Sequence, residues 1–202
     1  MIPAIVLAAG RSTRMGRAKA LLPIGSGETF LSRIVRTLRD AEVDDVVVVI
    51  GHEPQEIIAD VERRGLAVRF AVNPDFDKGQ LSSLVAGLTV IDRPGVVASL
   101  ITLVDVPLVS ATTVRAVIDR YLATRASVVR PVANGRHGHP VIFDRALFDR
   151  FRAADPALGA KVVVRQHASA QGEVEVSDAG AFLDIDTPDE YEELLRKGFG
   201  RT

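Results

Sequence analysis

Two hydrophobic rhythms alternate along this chain: short β-branched runs, and segments whose apolar residues recur every three or four positions. The first rhythm predicts strands at Ala4–Ala8, Val46–Ile50, Val68–Val72, Ser99–Val104, Ser127–Val132, His139–Phe143 and Phe182–Ile185. Several of these are apolar on consecutive positions, as strands covered on both faces are. The second rhythm predicts helices on the stripes Phe30, Leu31, Ile34, Val35, Leu38; Ile57, Ile58, Val61; Leu81, Leu84, Val85, Leu88; and Val114, Val117, Ile118, Tyr121, Leu122. A last helix begins at Thr187-Pro-Asp-Glu190, a capping box with proline at the first helical position. Strand and helix in regular alternation predict an α/β fold with a mostly parallel sheet.

Composition narrows this picture. The chain has 202 residues, 47% of them hydrophobic, which fits one domain over 1–202 with a sizeable core. The segments Asn134–Gly138 and Ala168–Gly180 are rich in small and polar residues and are expected to be excursions from the sheet, not domain boundaries. Twenty-five basic against twenty-six acidic residues leave a net charge of -1, so no global field recruits nucleic acid or an anionic membrane. No apolar run approaches the roughly 18 residues of a membrane span and no signal peptide precedes the first strand, so a cytoplasmic protein is expected. With no cysteine, disulfides, thiolate metal sites and thiol nucleophiles are excluded.

Chemistry concentrates at the carboxyl ends of the expected strands, where open α/β sheets bind ligands. After the first strand, Gly10 and Gly16 permit close approach of backbone amides to an anion, and Arg11, Arg14, Arg17 and Lys19 place four cations within nine residues. Such a loop suits a polyphosphate, although a basic surface loop with two turn glycines has the same composition. The spacing matches neither G-x-G-x-x-G nor the P-loop. Asp105 follows the apolar run before Pro107 and so projects from a strand end; Ser110 has the position of the next helix N-cap. Asp184 and Asp186, two apart on an extended segment, face one side while Ile185 turns inward. One or two carboxylates suffice for Mg²⁺, which keeps several waters. The alternative is that one of the pair only caps the Thr187 helix.

These motifs together resemble a family. Leu7 to Pro23 follows L-A-A-G-x-S-x-R-M-G-x-x-K-x-L-L-P, the signature of nucleotidyltransferases that include molybdenum cofactor cytidylyltransferase and the related guanylyltransferase. Asp105-Val-Pro107, Asp184-Ile-Asp-Thr-Pro188, Asn73-Pro through Ser83-Leu84 and Gly135-Arg-His-Gly-His-Pro140 resemble the family's further motifs in order. The resemblance implies the nucleotide-diphospho-sugar transferase fold, a Rossmann-like three-layer sandwich. It implies that Leu7, Ala8, Ala9, Gly10, Arg11, Ser12, Met15, Gly16, Ser82 and Ser83 contact a nucleoside triphosphate. By the same likeness Arg14 meets the leaving pyrophosphate, Lys19 neutralises charge near the α-phosphate, and Asp105 and Asp186, with Asp184 in support, hold Mg²⁺. Gly138 and His139 fall near a small phosphorylated acceptor, expected to be molybdopterin, with a molybdoenzyme or its chaperone as a protein partner. Ala9, where the guanylyltransferase branch has glycine, favours CTP.

One departure bears on the acceptor. Pro156-Ala-Leu-Gly-Ala-Lys161 stands where cytidylyltransferases show G-D-x-G-A-R, so Ala157 replaces an acid. The alternative is a nucleotidyltransferase using GTP or acting on a sugar phosphate or other small phosphate acceptor, the last two being what Ala157 bears on. A nucleotide-binding regulator of the same fold would bind the triphosphate with Mg²⁺ but release no pyrophosphate, and the retention of Lys19 and both acidic centres argues against it; a scaffold would not need the cationic loop opposite carboxylates. His137 and His139 have no third ligand nearby in sequence and are not expected to form a metal pair.

Overall fold

The computed structural model describes residues 1–197. Residues 198–202, the end of the expected 1–202 domain, lie outside the described residues. The chain runs β1 (Ala4–Leu7), a hairpin of β2 (Pro23–Gly25) and β3 (Glu28–Thr29), α1 (Phe30–Asp40), β4 (Val46–Ile50), α2 (Pro54–Arg63), β5 (Arg69–Val72), α3 (Gln80–Ile91), β6 (Ala98–Leu103), α4 (Ala111–Thr124), β7 (Val128–Ala133), β8 (Arg136–His137), β9 (Val141–Asp144), α5 (Phe148–Arg152), α6 (Ala160–His167), β10 (Glu173–Glu175) and α7 (Pro188–Lys197).

The consecutive apolar residues of the central strands serve two cores at once, because successive side chains leave a strand on opposite faces. Ala4, Val6, Val46, Val48 and Ile50 pack against α1, α2 and α4 on one face. Ile5, Leu7, Val47 and Val49 pack against α3, α5 and α6 on the other. The result is the expected helix–sheet–helix sandwich. Strands lie in the order β10-β7-β9-β6-β1-β4-β5. β9 alone along this path is antiparallel to its neighbours, so the sheet is mostly parallel. The chain builds outward from β1 through β4 and β5, then returns to the opposite side of β1 at β6. At that reversal the loops after β1 and β6 diverge and leave a crevice.

Most expected strands form within one or two residues of their expected bounds. β9 begins at Val141 and not at His139, because Pro140 has no N–H for a ladder and the His139 amide donates to the Ala181 carbonyl at 2.8 Å. The expected strand Phe182–Ile185 does not exist: Ala179–Phe182 is a 3-10 turn, and Ile185 gives its amide to the Asp105 carbonyl at 2.8 Å. Its β-branched side chain serves a separate cluster with Leu22, Ile24, Phe30 and Leu194, which is what made the segment look like a strand. The two supposed excursions both contribute to the sheet. Glu173–Glu175 pairs with β7 in parallel, and Arg136–His137 folds back on β7 through positive-φ Asn134 and Gly135. Both strands are too short, at three and two residues, to show a period.

The helix caps follow the sequence. Ser110 accepts from the Thr113 amide at 3.2 Å. The Glu190 carboxylate accepts from the amides of Asp186 and Thr187 at 2.7 and 2.8 Å, while the Glu190 amide donates to Thr187 Oγ1 at 3.3 Å. The capping box thereby fixes the backbone of Asp186 as well as starting α7.

Candidate active site

The loop after β1 is pinned by its own backbone and by its ends. The Ala8 amide continues into the sheet through the Val49 carbonyl at 2.9 Å. Ser12, at φ 50°, accepts the Lys19 amide on its hydroxyl at 3.1 Å, and its carbonyl accepts from Met15 at 2.9 Å. Gly16, at φ 66°, supplies a left-handed turn that L side chains rarely adopt. Lys19 then opens a 3-10 turn through Leu21. The loop folds around a cavity of about 380 Å³ at the reversal point of the sheet.

Of the expected site residues, Leu7, Ala8, Ala9, Gly10, Ser12, Arg14, Met15, Lys19, Ser83, Asp105 and Asp186 line this cavity. Arg11, Gly16, Ser82 and Asp184 do not. Arg11 is turned aside by a bidentate pair with Asp77, at 2.8 and 2.7 Å, and lies 5.2 Å from the Phe76 ring centre. The Ser82 hydroxyl is spent on the carbonyls of Asp75 and Gly79, at 2.9 and 2.8 Å. Buried Ser83 accepts from Asn73 Nδ2 at 3.0 Å. Phe76, Gly79 and Gln80 line the cavity as well and escaped the sequence reading. Gly79 carried a signal, since it is the glycine before the α3 pattern and holds φ at 97°. Phe76 carried none.

Charge converges at the floor. The Lys19 ammonium, its side chain only 12% exposed, is 3.2 Å from Asp105 Oδ2 and 2.5 Å from Asp186 Oδ1. Arg14 Nη1 stands 3.7 Å from the other Asp186 oxygen. The hydrogen bond from Lys19 holds the Asp186 carboxyl below its ordinary value. Desolvation first, then the charge of Asp105, pushes Asp184 upward. Asp105 Oδ1 is buried with no hydrogen-bond partner among the described residues. No three His, Cys, Asp or Glu side chains gather into a metal cluster among the described residues.

A second cavity of about 340 Å³ meets the first at Leu7, Gln80 and Leu103. Gly138 and His139 line it, with Arg130, His137, Lys161 and Arg165 and the apolar Leu84, Ile101, Val141, Phe143 and Val164. Burial pushes the His139 imidazole below its ordinary value, against the pull of a hydrogen bond to the Ile101 backbone and of Asp184 and Asp105. His137 pairs instead with Glu173 at 2.9 Å, so the two histidines do not act together. Ala157 is outside this lining; its amide closes a turn on Asp155 Oδ1 at 2.9 Å.

Comparison with known proteins bears on the family and the fold. The MobA-like NTP transferase domain matches residues 4–171. The chain is 30% identical over 202 residues to nicotine blue oxidoreductase of Paenarthrobacter nicotinovorans, covering 96% of each. To the molybdenum cofactor cytidylyltransferase of Escherichia coli K12 it is 25% identical over 192 residues, covering 94% of this chain and 93% of the relative. A stretch of 101 residues is 40% identical to the bifunctional IPC transferase and DIPP synthase of Rubrobacter xylanophilus, spanning 48% of this chain and only 23% of that longer protein. Among solved structures, Rv0371c of Mycobacterium tuberculosis H37Rv superposes with a TM-score of 0.80 at 28% identity, covering 97% of this chain and 98% of the other. The manganese complex of the same protein gives 0.74 at 29% identity, covering 96% and 98%.

Proposed function

Because the chain belongs to the MobA-like NTP transferase family, we propose that it transfers a nucleoside monophosphate from a nucleoside triphosphate, CTP by preference, to a small phosphorylated acceptor, with molybdopterin the first candidate. The observation that carries this reading is the junction of two cavities. One has Arg14 and Lys19 facing Asp105 and Asp186, and the other is apolar with Arg130, Lys161 and Arg165 at its walls.

A divalent cation, Mg²⁺ in this reading, fits the acidic side. The donors are hard carboxylate oxygens, Asp105 Oδ1 lacks a hydrogen-bond partner among the described residues, and the Lys19 ammonium already stands as a cation between the two carboxylates. Asp105 and Asp186 would hold the ion, with Asp184 alongside, and phosphate oxygens and waters would complete its shell. When bound, the ion neutralises charge on the triphosphate and on departing pyrophosphate. The manganese complex of the mycobacterial relative supports a divalent ion in such a fold.

The chain's own groups bind and orient. Gly10 and its neighbours present backbone to the phosphates, Leu7, Ala8, Ala9, Met15 and Ser83 flank the nucleoside, and Arg14 and Lys19 draw the phosphate charge. An acceptor phosphate oxygen attacks the α-phosphorus in line from the second cavity; the bond to the β-phosphate breaks and pyrophosphate leaves. No covalent enzyme intermediate is required. Gly138 and His139 belong to the acceptor side. A molybdoenzyme or its chaperone would receive the product, and the cytoplasm is the compartment this reading implies. No described helix is long and apolar enough to cross a membrane.

A second acceptor class is a sugar phosphate or another small phosphate, since Pro156–Lys161 departs from the cytidylyltransferase pattern; Ala157 itself lies outside the second cavity, which Lys161 of the same stretch lines. A pyrophosphate-release screen crossing CTP, GTP, ATP and UTP with molybdopterin and sugar-phosphate acceptors separates the two. Release with CTP and molybdopterin is the expected result; release only with a sugar phosphate moves the chain to the second class.

A further inference from the structure

Lys19 stands between Asp105 and Asp186 and pairs with both, a role in the free protein different from a phosphate contact. Its ammonium touches both carboxylates, at 3.2 and 2.5 Å, from a side chain 12% exposed, and Arg14 adds a second positive charge 3.7 Å from Asp186. An ammonium and a divalent ion cannot share that gap, because like charges a few ångströms apart repel strongly where water is partly excluded. The ammonium is covalently tethered and so is always present at the gap, whereas a free ion must be recruited from solution and stripped of some of its water.

We infer that Lys19 is a built-in placeholder for the divalent cation, so that metal alone binds poorly and loads only when the triphosphate draws Lys19 away from Asp105 and Asp186. This rests on the metal assignment of the preceding section and adds an order to it. The triphosphate offers Lys19 several negative charges in exchange for two carboxylates, and the same movement uncovers both oxygens for the ion. The Lys19 amide is anchored to Ser12 Oγ at 3.1 Å, so this movement requires only the side chain to leave and not the backbone. Magnesium bound in the absence of nucleotide would leave Lys19 without a partner, and the free protein avoids that state.

The test uses Mn²⁺ alone, with binding read by electron paramagnetic resonance of the free ion and by calorimetry, without turnover. Wild type should bind Mn²⁺ weakly in the absence of nucleotide and at least about tenfold more tightly with a non-hydrolysable CTP analogue. Lys19→Met should bind Mn²⁺ alone at least about tenfold more tightly than wild type, and should lose most of the gain from nucleotide. Lys19→Gln serves if the methionine variant unfolds. Arg14→Met removes an equal charge without vacating the gap and should give a clearly smaller gain. Adding Asp105→Asn to Lys19→Met should abolish the gain. Equal Mn²⁺ affinities of Lys19→Met and wild type, or an equal gain in Arg14→Met, overturn the placeholder. If the gain appears yet no nucleotide and acceptor yield pyrophosphate, the placeholder stands and the transferase reading falls.

Discussion

Gly138 lines the second cavity, but its surroundings give it a structural reason to be glycine. A Cβ built there would lie 2.2 Å from the Ala181 carbonyl oxygen and 2.8 Å from the Phe182 ring, against the 3.0 Å below which real contacts are essentially never found. The obstacle is backbone, and it is doubly held: the His139 amide donates to that same Ala181 carbonyl at 2.8 Å, and the Gly138 amide donates to the Pro131 carbonyl at 3.0 Å. Gly138→Ala must therefore push the segment at Ala181 back by about 0.8 Å or break the His139 bond. Overpacking of this kind costs about 1–3 kcal/mol, and a lost backbone hydrogen bond about 1 kcal/mol. For a chain of this length each kcal/mol moves the melting temperature by about 2–4 °C, so a fall of roughly 2–12 °C is expected. Calorimetry or dye-monitored melting measures it. Gly138 does not line the first cavity, so CTP with Mg²⁺ is expected to raise the melting temperature of the variant as much as that of wild type. A variant that melts with wild type would refute the close-approach reasoning and return Gly138 to a purely acceptor-binding role.

Further consequences follow from the same geometry. Ser110→Ala removes the acceptor for the Thr113 amide and should lower stability by about 1 kcal/mol, or roughly 2–4 °C, with no effect on nucleotide binding; an unchanged melting temperature would show that Asp178, which bonds the Ser110 amide and the Thr113 hydroxyl, caps the helix alone. His139 is held neutral by burial below the roughly 6.5 at which it protonates in the unfolded chain. The unfolded state then takes up the extra proton, so stability present above pH of about 6.5 declines as pH falls from there toward the folded value. Between pH of about 7 and 5, wild type should lose more melting temperature than His139→Gln; parallel curves would show that the imidazole is not desolvated.

The sandwich was legible because the strands that build it are covered on both faces and read as unbroken apolar runs: Val46–Ile50 has the same bounds in sequence and structure. The small strands were not, since Glu173–Glu175 and Arg136–His137 owe their pairing to tertiary contact with β7 and not to any local period. Ile185 misled in the opposite direction, being β-branched for the sake of the cluster with Leu22 and Phe30. At the site, glycines and charges announced themselves by type and place, and eleven residues expected there line the first cavity. What sequence spacing does not encode is pairing. Arg11 looked like a phosphate ligand until Asp77, sixty-six positions away, claimed its guanidinium. Phe76 and Gln80 reach the cavity only because the segment that enters α3 lies against the loop after β1, where Arg11 meets Phe76 and Asp77. The cations of α6 and β7 that wall the second cavity were equally invisible, apart from Lys161, because elements far apart in the chain converge there.

The most direct trial of the nucleotidyltransfer reading is pyrophosphate release from CTP, Mg²⁺ and molybdopterin, measured side by side for wild type and Asp105→Ala. Asp105 supplies its backbone carbonyl to Ile185 and its side chain to Lys19, so the substitution keeps the backbone bond and removes only the carboxylate. Wild type should release pyrophosphate, and the variant should be slower by at least about 100-fold while its far-ultraviolet circular dichroism matches wild type. No release by wild type with any nucleotide and acceptor pair, or undiminished release by the variant, would contradict it.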